Sequence, residues 1–218
     1  MSFLSNAPLL SSATVVRTYA ALNPATKTAH HILSNGNLTY ASTNGQPQGI
    51  TVSTIGKSTG KWYWELILNS FVGVSGSSTN LAGISSTVPT LGNNLWLGAT
   101  TGTASIRPNL YSSSYWYYFG SGLSPNQSGF WSTDYTTNSI LSFALDLQSL
   151  TFQIYLDGTS IGTAISIPAG IYYAAVGTDG QGVNGTLNFG QNTWSTDPTV
   201  TTTRNSLFSS GYNQGLYN

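Results

Sequence analysis

Cysteine is absent from this chain of 218 residues. Disulfide bridges, thiolate metal sites and cysteine nucleophiles are therefore excluded. A chain of this length buries roughly 70% of the surface that its unfolded form exposes, so its core needs no covalent cross-links. We expect one large domain rather than two small ones.

Charged residues are nearly absent as well. They make up 6% of the chain, against about 25% in ordinary soluble domains, and the net charge is zero. The six basic residues are scattered along the sequence, whereas a nucleic-acid-binding surface needs clustered lysine and arginine. An uncharged surface has little long-range repulsion, so close association is easy. This favours a subunit of a larger assembly, a homo-oligomer included, although a secreted lectin would have a similar composition.

Long apolar runs are also missing, and none approaches the length of a membrane-spanning helix. The first ten residues have no basic region, and Pro8 interrupts their only apolar patch. The sequence therefore predicts neither membrane insertion nor a signal peptide.

Catalytic side chains are scarce. Glycosidases need two carboxylates about 5–10 Å apart, and the chain has one glutamate, Glu65, and five aspartates. A glycan-cleaving site would have to pair Glu65 with Asp134 or with Asp179. His30 and His31 are adjacent, so on a strand they would point to opposite faces and could not easily bind one metal ion. We expect no enzymatic activity, no cofactor and no metal site, with a calcium ion held by loop carbonyls as an open alternative.

The clearest structural signal lies between Ile140 and Gly162. Apolar residues alternate with polar or small ones from Leu141 to Leu147, and again from Leu150 to Leu156. This alternation predicts two consecutive strands, each with a buried face and a wetter face. Asp157-Gly158 follows, a dipeptide that favours the positive φ angles of a tight hairpin turn. On the first strand the wetter face would carry Ser142, Ala144 and Asp146.

Other short strands are predicted on both sides of this segment, and we find no amphipathic helix of useful length. Many short strands joined by Gly and Asn turns indicate an all-β sandwich or barrel. The strand candidates are His31–Tyr40 with a turn at Asn35-Gly36, Gly49–Ile55, Gly60–Asn69, Leu81–Ser85, Tyr172–Gly177 and Gly185–Phe189.

Three regions follow from these patterns. Residues 1–28 contain Pro8 and Pro24 and show no alternation, so we interpret them as an extended N-terminal arm that packs on its own domain or on a neighbour. Residues 29–195 form the β-sandwich. Residues 196–218 form a C-terminal tail packed on the domain or on a neighbour.

Residues 87–139 lack a regular pattern and are rich in aromatic residues, so we interpret them as a long binding loop. Tyr and Trp combine a large apolar area with a polar group, as binding hot spots require, and loops on a rigid sandwich are natural binding surfaces. The alternative is that about half of these rings pack inward. Flat aromatic faces suit sugars as well as proteins. The candidate binding residues are Trp96, Tyr111, Tyr115, Trp116, Tyr117, Tyr118, Trp131 and Tyr135.

Five segments form an ordered series of motifs: Gly60-Lys61-Trp62-Tyr63-Trp64-Glu65-Leu66, Ala82-Gly83-Ile84-Ser85, Asn138–Asp146, Leu150-Thr151-Phe152 with Asp157-Gly158, and Asn188-Phe189-Gly190. Together they resemble the SPRY domain, called B30.2 in its longer form, over about residues 30–195. The third segment has Asn138-Ser139 where the family usually has Gly-Asp.

The resemblance implies a concanavalin-like sandwich of two antiparallel sheets that binds partners, typically proteins, and shares no catalytic machinery. The stretches Leu22–Leu38 and Ile55–Glu65 are similar to the SPRY domains of bacteriophage virion proteins, which occur on tail fibres, adhesins and capsid surfaces. We therefore expect a non-enzymatic virion structural or attachment protein, made in the host cytoplasm. Its partners would be other virion proteins, further copies of itself, or a host surface protein or glycan. The alternatives are a free carbohydrate-binding module or lectin and, third, a glycan-cleaving enzyme.

Overall fold

A computed structural model describes residues 16–42, 48–71, 79–88, 97, 103–109, 114–119, 128–130, 136–179 and 183–218. These residues form β1 (His31–Ser34), β2 (Thr39–Ser42), β3 (Gln48–Lys57), β4 (Lys61–Phe71), β5 (Thr79–Ser85), β6 (Thr103–Asn109), β7 (Ser114–Phe119), β8 (Ser128–Phe130), β9 (Ile140–Asp146), β10 (Thr151–Leu156), β11 (Thr159–Ser166), β12 (Tyr172–Asp179), β13 (Val183–Asn188) and helix α1 (Pro198–Ser209).

The strands form two antiparallel sheets that pack face to face. One sheet has the order β1-β2-β13-β4-β9-β10-β11, and the other has the order β3-β12-β5-β6-β7-β8. The predicted fold class, an all-β antiparallel sandwich, is confirmed.

The core lies between the sheets and centres on the motif-bearing strands. Trp64 of β4 stacks on Phe143 of β9 with ring centroids 5.3 Å apart, and Phe143 stacks on Phe152 of β10 at 6.1 Å. The predicted hairpin turn is present too, because Asp157 and Gly158 have φ angles of 45° and 80°. Local alternation therefore identified the central strands correctly.

The prediction of a wetter face on β9 is wrong. Every residue of this strand is buried, including Ser142 and Asp146. Ser142 is the register partner of Glu65 on β4, and the C-terminal residues pack over this outer face. Alternation shows that a strand has two faces, but it does not show what covers the second one.

Helix α1 was not predicted from the sequence. Four of its twelve residues are threonine, whose branched side chain lowers helix propensity. Its start nevertheless carries a local signal, because Asp197 accepts hydrogen bonds from the backbone N–H groups of Thr199 and Val200 at 2.9 and 3.0 Å, and Pro198 occupies the first turn. The described residues include no helix long and apolar enough to cross a membrane.

The interpretation of residues 87–139 as one long irregular loop is also wrong in part. Strands β6, β7 and β8 lie within this stretch and complete the six-stranded sheet beyond β5. Their composition, rich in Ser and in consecutive aromatic residues, hides the alternation on which the prediction relied.

Residues 16–28 lie along the sandwich. The N–H of Thr54 donates to the carbonyl of Ala21 at 2.7 Å, and the N–H of Asn23 donates to the carbonyl of Val52 at 2.8 Å. The segment thus covers the edge strand β3, and Leu22 is fully buried in the main core.

Candidate functional site

The consecutive candidates Tyr115, Trp116, Tyr117 and Tyr118 lie in strand β7. They are register partners of Pro108, Arg107, Ile106 and Ser105 of β6. Consecutive strand positions belong to alternate faces of a sheet, so these four positions divide between the two faces rather than forming one loop surface. The other candidates, Trp96, Tyr111, Trp131 and Tyr135, lie outside the described residues.

The strand ends beside two of these candidates are aligned across the sheet. Asn109, the last residue of β6, pairs with Ser114 of β7, which in turn pairs with Phe130 of β8. Asn109 precedes Tyr111 by two residues, and Phe130 directly precedes Trp131. Asn109 and Phe130, which flank these two candidates in the chain, therefore lie at the same end of these strands, with Ser114 between them.

The only glutamate of the chain is locked in a buried network beneath α1. Glu65 is 1% exposed. Its Oε1 accepts from Nη1 of Arg204 at 2.8 Å and from the Tyr63 hydroxyl at 2.7 Å, and its Oε2 accepts from the backbone N–H of Ser195 at 3.3 Å. Both carboxylate oxygens are thus occupied by partners within the chain.

Aromatic rings enclose this ion pair. The ring of Tyr63 meets those of Trp194 and Phe208 edge to face at 5.5 and 5.4 Å, and the guanidinium of Arg204 lies 5.8 Å from the Trp194 ring. Burial, followed by the nearby negative charge of Glu65, raises the pKa of Tyr63 well above its usual value. The network holds α1 on the outer face of the seven-stranded sheet. The sequence gives no sign of this pairing, because 139 residues separate its two charges.

The arrangement of Glu65 does not support a glycan-cleaving site. A catalytic carboxylate must reach solvent and substrate, whereas Glu65 is sealed by Arg204 and Tyr63. Of its two proposed partners, Asp134 lies outside the described residues, and Asp179 is described only as the last residue of β12.

The other described aspartates have structural partners. Asp146 pairs with Lys61 at 3.1 Å and accepts from the N–H groups of Gln148 and Ser149. Burial raises the pKa of the Asp146 carboxyl, but the bonds from Ser149 and Lys61 outweigh burial, so its pKa lies below the usual value. Asp157 binds the N–H of Ile140 at 2.7 Å. Within the described ranges, no three His, Asp or Glu side chains gather at one place.

His31 forms a second buried polar cluster, at the edge of the interior. Its Nδ1 lies 2.6 Å from the Thr51 hydroxyl, and its Nε2 lies 3.1 Å from the Thr178 hydroxyl. Burial, with a smaller effect from the charge of Lys27, lowers the pKa of His31 to about 3. The imidazole therefore stays neutral in the folded protein and joins β1, β3 and β12.

A group of cations and aromatic rings lies where residues 16–19 meet the last residues of the chain. The guanidinium of Arg17 sits 4.4 Å from the centroid of the Tyr217 ring, which meets the Trp62 ring at 5.6 Å. The ammonium of Lys57 sits 4.5 Å from the Trp62 ring and donates to Oδ1 of Asn218 at 3.1 Å. Sequence reasoning missed this group because its members come from three separate parts of the chain: Arg17, the pair Lys57 and Trp62, and the pair Tyr217 and Asn218.

Comparison with known proteins identifies the fold. No protein-family model matches the sequence, and no curated protein matches it either. Among solved structures, the SPRY domain of human HERC1 is similar with a TM-score of 0.59 and 16% identity, over 79% of this chain and 100% of that one. The PSpry domain of TRIM65 gives 0.57 and 14%, over 78% and 90%. A human SPRY domain gives 0.50 and 14%, over 75% and 98%. The chain therefore has a SPRY-like fold.

Proposed function

We propose that this chain is a non-enzymatic binding module whose partner is another protein. The SPRY-like sandwich carries the proposal, because SPRY domains generally serve as protein-interaction modules and this chain spans the whole of one. The buried state of Glu65 agrees with it, since the one glutamate serves to dock α1 rather than to reach a substrate.

The assembly that we propose for it is a bacteriophage virion, in which the chain acts as a structural or attachment protein. The low charge supports this, because uncharged subunits associate closely without long-range repulsion. The resemblance of Leu22–Leu38 and Ile55–Glu65 to virion SPRY domains also supports it. A tail fibre, an adhesin and a capsid decoration are all compatible with these features.

Strand β7 and the neighbouring aromatic residues are the proposed contact surface of this module. Strand β7 has five consecutive aromatic residues, Tyr115–Phe119. The four candidates among them, Tyr115–Tyr118, give any exposed sheet face two large amphipathic rings. Such rings suit a protein partner.

The test is peptide mass spectrometry of virions purified by density gradient from a culture that produces this protein. We expect its peptides in the intact particles, and chemical cross-links from the β7 region to a second virion protein. A Trp116→Ala variant should incorporate less well than Trp194→Phe, a control in the segment between β13 and α1, where Trp194 packs against Tyr63 and Phe208. Absence from the particles would refute the virion role. Glycan-array binding by the isolated chain that Trp116→Ala abolishes would instead favour a lectin.

A further inference from the structure

The turn between β1 and β2 contains an asparagine followed by a glycine, and both residues are accessible. Asn35 and Gly36 are exposed, with φ angles of 52° and 62°, and a Cβ built at Gly36 would meet no atom within 4 Å. The Asn35 side chain donates one long hydrogen bond, from Nδ2 to the Thr39 hydroxyl at 3.5 Å. Within the described part of the chain, no group accepts a hydrogen bond from the Gly36 N–H. The backbone nitrogen of Gly36 is therefore open to reaction with the preceding side chain.

An accessible Asn-Gly pair can modify itself with water as the only co-reactant. The glycine nitrogen attacks Cγ of the asparagine, so that an N–Cγ bond forms and the Cγ–Nδ2 bond breaks. Nδ2 leaves as ammonia and takes the backbone amide proton with it, and the product is a five-membered succinimide. Water then opens one of the two carbonyl–nitrogen bonds of the ring and gives either aspartate or isoaspartate. Glycine favours the attack because it has no Cβ to crowd it.

We propose that Asn35 is a site of spontaneous deamidation, selected by its exposed turn and not by the Asn-Gly sequence alone. The chain has two other Asn-Gly pairs, Asn44-Gly45 and Asn184-Gly185. The first lies outside the described residues. The second lies in strand β13, so the same dipeptide occurs in an exposed turn and in the middle of a sheet.

The pair in β13 is held in place on every side. Nδ2 of Asn184 donates to the Ser70 hydroxyl at 2.8 Å. Gly185 is buried between its register partners, Tyr40 of β2 and Leu68 of β4. Ring closure at Asn184 has to break the side-chain bond and pull the Gly185 backbone out of the sheet. Ring closure at Asn35 has no comparable barrier.

Deamidation at Asn35 changes both the charge of the chain and its turn. A carboxylate in place of the amide takes the net charge from zero to −1 above about pH 4. Isoaspartate also lengthens the main chain by one carbon within the turn, where the Leu38 N–H donates to the Asn35 carbonyl at 3.1 Å. The nearby Asn37 carbonyl accepts from the Leu22 N–H at 2.9 Å. The modification therefore loosens the contact between the hairpin and the N-terminal segment.

The experiment incubates the full folded chain near neutral pH and follows Asn35 and Asn184 by peptide mass spectrometry. Chymotrypsin cleaves after Tyr40 and so places Asn35 and Asn44 on separate peptides. Deamidation raises the peptide mass by about one dalton, and labelling with isoaspartyl methyltransferase identifies isoaspartate. Asn35 should react at least about tenfold faster than Asn184, because Asn184 must first lose hydrogen bonds of the sheet. The rate at Asn35 should rise with pH, since loss of the Gly36 amide proton produces the attacking nitrogen.

Unfolding in urea is the matched control for the role of the fold. Both asparagines precede glycine, so their rates should converge once the sheet is lost. Asn35→Gly, a residue that tolerates positive φ, should prevent the reaction at this site and keep hydrogen exchange at the Leu22 amide constant during incubation. The incubated wild type should exchange faster at that amide.

Two results would overturn the proposal. Equal rates at Asn35 and Asn184 in the folded chain would show that the turn does not select the site. Reaction of Asn35 in urea but not in the folded chain would show that the turn protects it. These measurements involve no binding partner, so either result leaves the proposed function standing.

Discussion

Although only 6% of its residues are charged, this protein buries several polar and charged side chains in specific hydrogen-bonded positions. His31 and the pair Glu65–Arg204 are all buried, and each is bonded on more than one side. Buried polar groups are tolerated when their hydrogen bonds are satisfied. Removing one partner leaves the other buried without a hydrogen bond, which costs the free energy of its desolvation. Their effects on stability should therefore be large and specific.

His31 predicts that the protein loses stability in mild acid. The folded state keeps its imidazole neutral down to a pKa of about 3, whereas an unfolded histidine takes up a proton below about pH 6.5. The unfolded state therefore binds the extra proton, and stability falls as the pH drops from about 6.5 towards 3. The slope contributed by one proton is about 1.4 kcal/mol per pH unit. Urea unfolding at pH 7.0, 6.0 and 5.0 measures it, in a range above the carboxylate pKa values.

The matched control for this prediction is the neighbouring histidine. His31→Gln should flatten the dependence between pH 6.5 and 5, although the variant is less stable overall, while His30→Gln should keep the wild-type slope. These are the only two histidines of the chain, so an unchanged slope in His31→Gln would show that the buried imidazole is not the source.

The ion pair of Glu65 and Arg204 predicts strong non-additivity. Arg204→Met leaves the Glu65 carboxylate buried without its cation, which should cost about 3–5 kcal/mol in the free energy of unfolding. Glu65→Gln combined with Arg204→Met removes both charges, keeps a partner for Tyr63 and should recover much of that loss. Chemical unfolding of the wild type, both single variants and the double variant gives the coupling. Additive losses would contradict a direct pairing.

At the scale of elements, residues 16–28 and the C-terminal segment with α1 cover parts of the sandwich. Helix α1 covers the outer face of β4 and β9, so both faces of the central strands are buried. The N-terminal segment covers the edge of β3, and the N–H of Ala20 donates to the carbonyl of Leu216 at 2.8 Å. A covered edge is protected from pairing with another chain, so residues 18–28 belong to the packed structure.

This placement predicts where the chain tolerates change. Leu22→Ala should destabilise the protein by about 2–5 kcal/mol, because the side chain lies in the core and its removal leaves a cavity. Val16→Ala, at a position 85% exposed, should change the stability by less than about 0.5 kcal/mol. Thermal and urea unfolding compare the two.

Deletion tests should follow the same division. A chain lacking residues 1–28 loses Ala20 and Leu22 from the core and should fail to fold, whereas a chain lacking residues 1–15 keeps every contact described for residues 16–28. A deletion that tests the role of an N-terminal arm should therefore remove residues 1–15 and keep Val16. A folded product of the longer deletion would show that the β3 edge needs no cover.

The whole molecule combines a SPRY-like sandwich with a surface of low charge. Neutral polar surfaces lack the repulsion that keeps many proteins apart, so we expect a defined homo-oligomer at micromolar concentration. Light scattering of the purified chain should give a mass that is a multiple of 23.1 kDa, with little change between low and high salt. A monomer at every concentration would contradict self-assembly and would favour a decoration that associates only with its scaffold.

The sequence by itself determined the all-β class, the central strands and the turn at Asp157-Gly158. These features depend on periodicity and turn chemistry over a few residues, which the chain displays directly. The start of α1 at Asp197-Pro198 was also locally encoded, although its threonines obscured the rest of the helix.

Tertiary structure decided everything that joins distant parts of the chain. The Glu65–Arg204 pair, the burial of both faces of β9 and the meeting of Arg17 with Tyr217 each bring together residues far apart in sequence. No local pattern encodes such contacts, because they depend on how the two sheets pack and on where the terminal segments lie against them. Strand β7, the proposed contact strand, shows the same limit, since its aromatic run was visible in the sequence while its place in the six-stranded sheet was not.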